Sequence, residues 1–374
     1  MRHLFCLCSA AILYYVVCSC QTAQGIVIKV GDSAGTLSQK QTFYFPQYVL
    51  LEENSTEAAI RHVNKVLFLN DRIIISDCLS NKIVLFDGTG KYLGSTAGMI
   101  GKGNNEYVHF LDCAVDCERQ LIYMLCDFPY QFMVFDANLV LQRCIRTNDY
   151  MSEFTLDGNY LYAFCKSQDN PSSYELRRYQ KSSPDGKYTV LLTFDKGIRG
   201  VKGMGYSLCG SDDNICFSMP FSNDIYEIKD GNIHSRISID FGKDWFSYED
   251  SRGLSGRRFI KKNDEVNWTI QNIVTSDSVI YFNTNNVPFF RIDKAAGTCG
   301  SYKYFGDTYF PYGSSWITPC YGKAGYMVQT IPAETVRDYV RRCEEKDMPV
   351  IPAIKDLAVT DSTNNPVLQI LRFR

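Results

Sequence analysis

The sequence predicts an all-β fold, a six-bladed β-propeller, and three observations lead there. A two-strand unit recurs along the chain, its spacing is near-regular, and apolar strand patterns stand at both ends. An aromatic share of 14%, with 25 Tyr and 23 Phe, suits pleated sheets.

The unit is clearest at 72–77 and 82–87, two apolar runs joined by the polar turn 78–81, which reads as a hairpin. Gly88, Thr89 and Gly90 then turn the chain into a further run, 91–94. The same grammar returns at 121–125 with 132–136, at 160–164 with 174–179, and at 215–219 with 224–228. Residues 222–225 repeat three of the four residues at 80–83. A fifth copy runs 279–282 with 289–293, and a sixth, interrupted one runs 326–329 with 367–371.

The last apolar residue of each unit is Phe86, Phe135, Tyr179, Ile228, Ile292 and Leu371, at spacings of 49, 44, 49, 64 and 79. The first three match a four-stranded blade of about 40–50 residues. The longer two contain insertions, one from Trp245 to Trp268 and one helical. In the second, Val336, Tyr339, Val340 and Cys343 share one stripe behind Pro332, predicting a helix over 333–346 packed on the last blade. Residues 48–51, or less favourably 26–30, are expected to complete that blade, which removes open sheet edges.

The first residues belong to export rather than to the fold. Arg2 and His3 precede an apolar stretch, 4–17, too short for a membrane span. It ends in Val17-Cys18-Ser19-Cys20, which resembles the lipobox of bacterial lipoproteins. The expected division is a signal peptide at 1–19, a tether at 20–42 and the propeller at 43–374, with Cys20 lipidated. Diacylation would give the two-chain anchoring that holds a domain on a membrane. Residues 21–24 lack an acidic run. The expected location is therefore the cell envelope, as an outer-membrane lipoprotein facing the periplasm rather than the surface.

The net charge of −2, moving to −3 when Arg2 leaves with the leader, gives no broad reason to bind nucleic acid. Twelve of 15 cysteines lie beyond residue 19, with no CxxC pair. Cys126, Cys165 and Cys216 sit in apolar runs as small hydrophobes, so neither a disulfide framework nor a zinc site is expected. Only His62, His109 and His234 remain, each alone, and no G-x-S-x-G elbow exists. No catalytic residue, metal or cofactor is assigned. Paired acids such as Asp212-Asp213 and Glu344-Glu345 read as solvated faces, and 183–187, with Pro-Asp-Gly, as a hairpin tip.

Gly101-Lys102-Gly103-Asn104-Asn105-Glu106-Tyr107 is neither a P-loop nor a dinucleotide fingerprint. It reads as an inter-blade turn needing φ > 0, with Glu106 pinning backbone N–H groups. Alternatively Lys102, Glu106 and Tyr107 contact a ligand. In the 245–268 insertion, basic residues including Arg257 and Arg258 alternate with aromatics, a composition able to grip a sugar acid, carboxylate or phosphate.

This blade pattern resembles the NHL-like six-bladed propellers of secreted and lipid-anchored Bacteroides-type bacterial proteins. The 101–107 segment is similar to that family's Gly-x-Gly-Pro-x-Glu-Tyr, with Asn104 in place of Pro, and Asn365-Pro366-Val367-Leu368 resembles its closing strand. The resemblance runs from about residue 43 to the end and implies fold more than function. The expected function is an envelope-anchored binding or scaffolding module for a glycan, peptide or protein. The alternative is a carbohydrate- or peptide-active lyase or hydrolase on the same scaffold.

Overall fold

A computed structural model describes residues 25–31, 35–170, 173–195, 205–210, 215–246, 266–311, 318, 320–323, 325–357 and 364–374. Six sheets of antiparallel strands radiate about one axis. Blade I comprises Lys65–Leu69, Arg72–Asp77, Lys82–Asp87 and Tyr92–Ser95. Blade II comprises His109–Asp116, Leu121–Asp127, Gln131–Asp136 and Leu141–Arg146. Blade III comprises Met151–Leu156, Tyr160–Lys166, Ser173–Gln180 and Tyr188–Asp195.

Blade IV has a short inner half, Leu208–Cys209 and Ile215–Phe217, followed by Asp224–Lys229 and Asn232–Asp240. Blade V comprises Ile270–Thr275, Val279–Thr284, Phe289–Asp293 and Thr298–Gly306. Each of the first five hairpins found in the sequence is the middle pair of a blade. Those strands are buried by a neighbouring blade on each face, so they read as unbroken apolar runs such as Ile73, Ile74 and Ile75.

Blade VI is assembled from three parts of the chain. Tyr326–Ile331 pairs with Val367–Arg372, and that strand pairs with Gln47–Leu50 near the N-terminus. The closure expected at 48–51 is thus found one residue earlier. Cys320–Tyr321 runs parallel to blade I at Val66 and Leu67, while Thr318 bridges Val328, so this segment links blades VI and I at the axis.

The stretch expected as a tether joins the sheet system over its described part. Gly25–Lys29 pairs parallel with the outermost strand of blade IV, and Gly35–Ser38 does the same on blade V. The chain then plugs the V–VI junction. Gln39, 2% exposed, donates to Gln329 at 3.0 Å and accepts from the Tyr309 N–H at 2.8 Å. Phe43 is fully buried among Tyr281, Phe305 and Phe373. The predicted helix is Ala333–Glu345, with Ala333, Val336, Tyr339 and Cys343 buried against Ile331, Val367 and Tyr48 of the last blade.

Candidate functional site

Two places gather side chains that could do chemistry or binding: the axis, and the face on which inter-blade connections emerge. At the axis, the innermost strands of blades II, III and V carry bulges at Phe110/Asp112, Met151/Glu153 and Gln271/Val274. A bulge re-aims a side chain away from the strand's usual alternation. Here the re-aimed polar groups reach the next blade. Asp112 accepts from the Phe154 N–H at 2.9 Å, and Glu153 accepts from Ser207 and Leu208 at 2.8 and 3.0 Å. From the other side, Gln271 and Asn272 accept from the Gly205 and Tyr206 N–H groups at 3.0 and 2.9 Å.

At the centre of this girdle Lys65 pairs with Asp112 at 2.5 Å, and both side chains are buried. The Lys65 ammonium lies 4.0 Å from the centroid of Tyr206 and 4.7 Å from that of Tyr321. Burial, the largest single influence, lowers the Lys65 pKa, but Asp112, Cys113 and Glu153 together outweigh it and hold the pKa above the ordinary lysine value. Burial drives the hydroxyls of Tyr206 and Tyr321 well above the ordinary tyrosine range. A nucleophilic lysine needs a depressed pKa, and this one is raised. The axial groups therefore bind one another and join the blades.

On the connection face, four aromatic rings from blades II and III form a row. His109 and Phe128 have centroids 6.2 Å apart, Phe128 and Tyr130 6.3 Å, and Tyr130 and Tyr150 5.6 Å. Phe128 is 64% exposed and Tyr150 46%. Phe128 also has a φ of 53°, in the left-handed region that a bulky residue rarely enters and that costs on the order of 1–3 kcal/mol. Packing recovers little of that cost, because the ring touches His109 and Tyr130 but is mostly in solvent. Burial, then the neighbouring Asp127 carboxylate, raises the pKa of Tyr130, so its hydroxyl stays protonated.

The 101–107 loop lies beside this row, since Gln131, next to Tyr130, donates to the Glu106 carbonyl at 3.4 Å. Glu106 accepts from the Gly103 N–H at 2.6 Å, as the turn reading expects. The left-handed residue of the loop is Asn105, φ 63°, and neither Gly101 nor Gly103. Those glycines supply room instead: a Cβ at Gly101 would stand 2.0 Å from the Glu106 carboxylate. Tyr107 is fully buried, its hydroxyl 2.8 Å from the Asn81 carbonyl and 2.9 Å from Thr96, so it serves the loop's own fold. Of the three, Lys102 is exposed and Glu106 half-buried.

Cys20, Arg257 and Arg258 lie outside the described residues. The two ends of the insertion carrying the arginines do meet on the connection face, where Phe246 donates to the Asn267 carbonyl at 2.7 Å. Sequence reasoning missed the row because its members stand on three separate segments. It passed over the axial acids because one polar residue in an apolar strand carries no pattern.

A family model described as "Domain of unknown function (DUF4934)" matches residues 27–372. No curated protein matches. The crystal structure of a "Putative exported protein" from Bacteroides fragilis is similar over 94% of this chain and 100% of its own, with TM-score 0.63 and 14% identity. At that identity the likeness shows the fold alone. BamB from Moraxella catarrhalis gives a TM-score of 0.40 at 10% identity, over 71% of each chain. A nidogen/laminin complex gives 0.42 at 11%, over 70% of this chain and 92% of that one. Neither is near enough to inform function.

Proposed function

We propose, from the premise that the chain belongs to the DUF4934 family of unknown function, that it is an envelope-anchored binding module. Its ligand docks on the connection face, across the row His109, Phe128, Tyr130 and Tyr150. The observation behind this is Phe128, a large apolar ring held at a strained φ and left in water. Such a feature costs stability while adding little packing, which is the pattern of a residue kept for contact.

Lys102 flanks the row, and Arg257 and Arg258 belong to a connection rooted on the same face. Together they would supply charge to a glycan or peptide carrying acidic groups. The lipobox-like segment with Cys20 supports lipid anchoring, the exported name of the Bacteroides fragilis neighbour supports export, and the lack of an acidic run at 21–24 favours a domain facing the periplasm. The blade grammar resembles that of NHL-like propellers.

The test is a thermal-shift screen of the mature domain against soluble glycans and peptides. A ligand at a hundred times its Kd stabilises by about 2.7 kcal/mol. Phe128→Gly should abolish that shift while raising the ligand-free stability by about 1 kcal/mol, through release of the strained φ. A ligand whose shift survives both Phe128→Gly and Tyr150→Ala would refute the row as the site.

A further inference from the structure

We infer that the outer rim of blades IV and V rests against the lipid surface, so that the disc stands edge-on to its membrane. This deepens the anchored reading above and rests on it. Gly25–Lys29 is the outermost strand of blade IV, in register with residues 236–240. Cys20 precedes Gly25 by five residues, and an extended chain covers at most about 3.5 Å per residue, or roughly 17 Å in all. A domain of this size has a radius of gyration of about 20 Å. The anchor is therefore shorter than the body it holds, and the rim where the strand attaches must stay near the bilayer.

That rim has the composition for it. Val27, at 74%, is the most exposed large apolar side chain among the described residues, and Ile26 beside it is 56% exposed. Successive residues of a strand point to opposite faces, so the two flank the edge on both sides. An edge strand facing only water is usually blunted by charge or Pro at such positions. Val30 continues the ribbon onto blade V by pairing with Cys299, and Thr36 pairs with Tyr304, itself 53% exposed. Lys29 and Lys303 are exposed close by. Aliphatic tips, a tyrosine and lysines together suit the boundary between acyl chains and anionic headgroups.

The test places a photoreactive benzoylphenylalanine singly at Val27 or Tyr304, and at Leu93 or Val140 on the outer parts of blades I and II, in the full chain in its membrane. All four sites are exposed, so the substitutions leave the core intact. Lipid adducts counted by mass spectrometry should be at least tenfold more abundant at 27 and 304 than at 93 and 140. Equal yields from a chain that carries acyl groups on Cys20 would overturn the edge-on orientation and leave the anchored reading standing. A chain without acyl groups would overturn both.

Discussion

Lys65 and Asp112 sit where a propeller could have had an open channel, and their burial sets what substitution does. The pair is satisfied from several directions, by Tyr206, Tyr321 and the Phe154 N–H as well as by each other. Removing one partner leaves a buried charge uncompensated, so Lys65→Met should cost about 3–5 kcal/mol in denaturant unfolding, read as a lower urea midpoint at unchanged slope. The surrounding acids set the pH response. Burial raises the thiols of Cys209 and Cys320 from 9.0 to about 12, and pushes Cys113 up as well. Well below pH 9 these thiols are protonated in both folded and unfolded chains and contribute no pH dependence. Above it the unfolded chain releases protons that the fold retains, so stability falls as pH rises, by about 1.4 kcal/mol per thiol per pH unit. Lys65, raised above 10.5, adds to the loss from there upward. Melting temperatures under reducing conditions should be flat from pH 7 to 8.5 and drop steeply by pH 10.5. None of this was legible in the sequence, because Lys65, Asp112 and Glu153 are far apart in the chain and become neighbours only when the ring closes.

Among elements, the middle strands of each blade were legible and the outer ones far less so. Residues 72–77 and 82–87 are apolar on both faces, whereas Leu141–Arg146, an outermost strand, has the exposed residues Gln142, Arg143 and Cys144 and gives no alternation to read. The helix over 333–345 was legible from its stripe. The ribbon over 25–38 was ambiguous, since Ile26 to Val30 could have closed the last blade as well as 48–51; register decides for the latter. The two segments should behave differently when removed. Deleting residues through Ser38 uncovers the edges of blades IV and V but keeps Gln39, Phe43 and Gln47–Leu50. That protein should fold, melt several degrees lower, and self-associate on size-exclusion chromatography through its bare edges. Deleting through Leu50 removes the third strand of blade VI and exposes the apolar faces of Leu368 and Ile370, and should yield no folded monomer.

At the scale of the whole molecule, closure makes the six blades one thermodynamic unit. Three connections cross blade boundaries in different ways. Axial side chains bond to the next blade's backbone from I through V, the 318–321 segment pairs with blades VI and I, and the N-terminal ribbon spans IV, V and VI on the outside. An open repeat array unfolds blade by blade because each unit touches only its neighbours. Axial bonds cross every boundary from blade I to blade V, and blades IV, V and VI are held besides by the ribbon and the 47–50 closure. Unfolding should therefore be a single transition. In a Trp316→Phe variant, fluorescence from Trp245 and Trp268, at the junction of blades IV and V, should change at the same urea concentration as the far-ultraviolet signal of the whole sheet system. The row on blades II and III is part of the same unit, so a ligand bound there should move both probes together. A midpoint shift seen by only one probe would mean that the ring has a seam, and the boundary between blades II and III, which no strand of the N-terminal ribbon crosses, is where that seam would be sought.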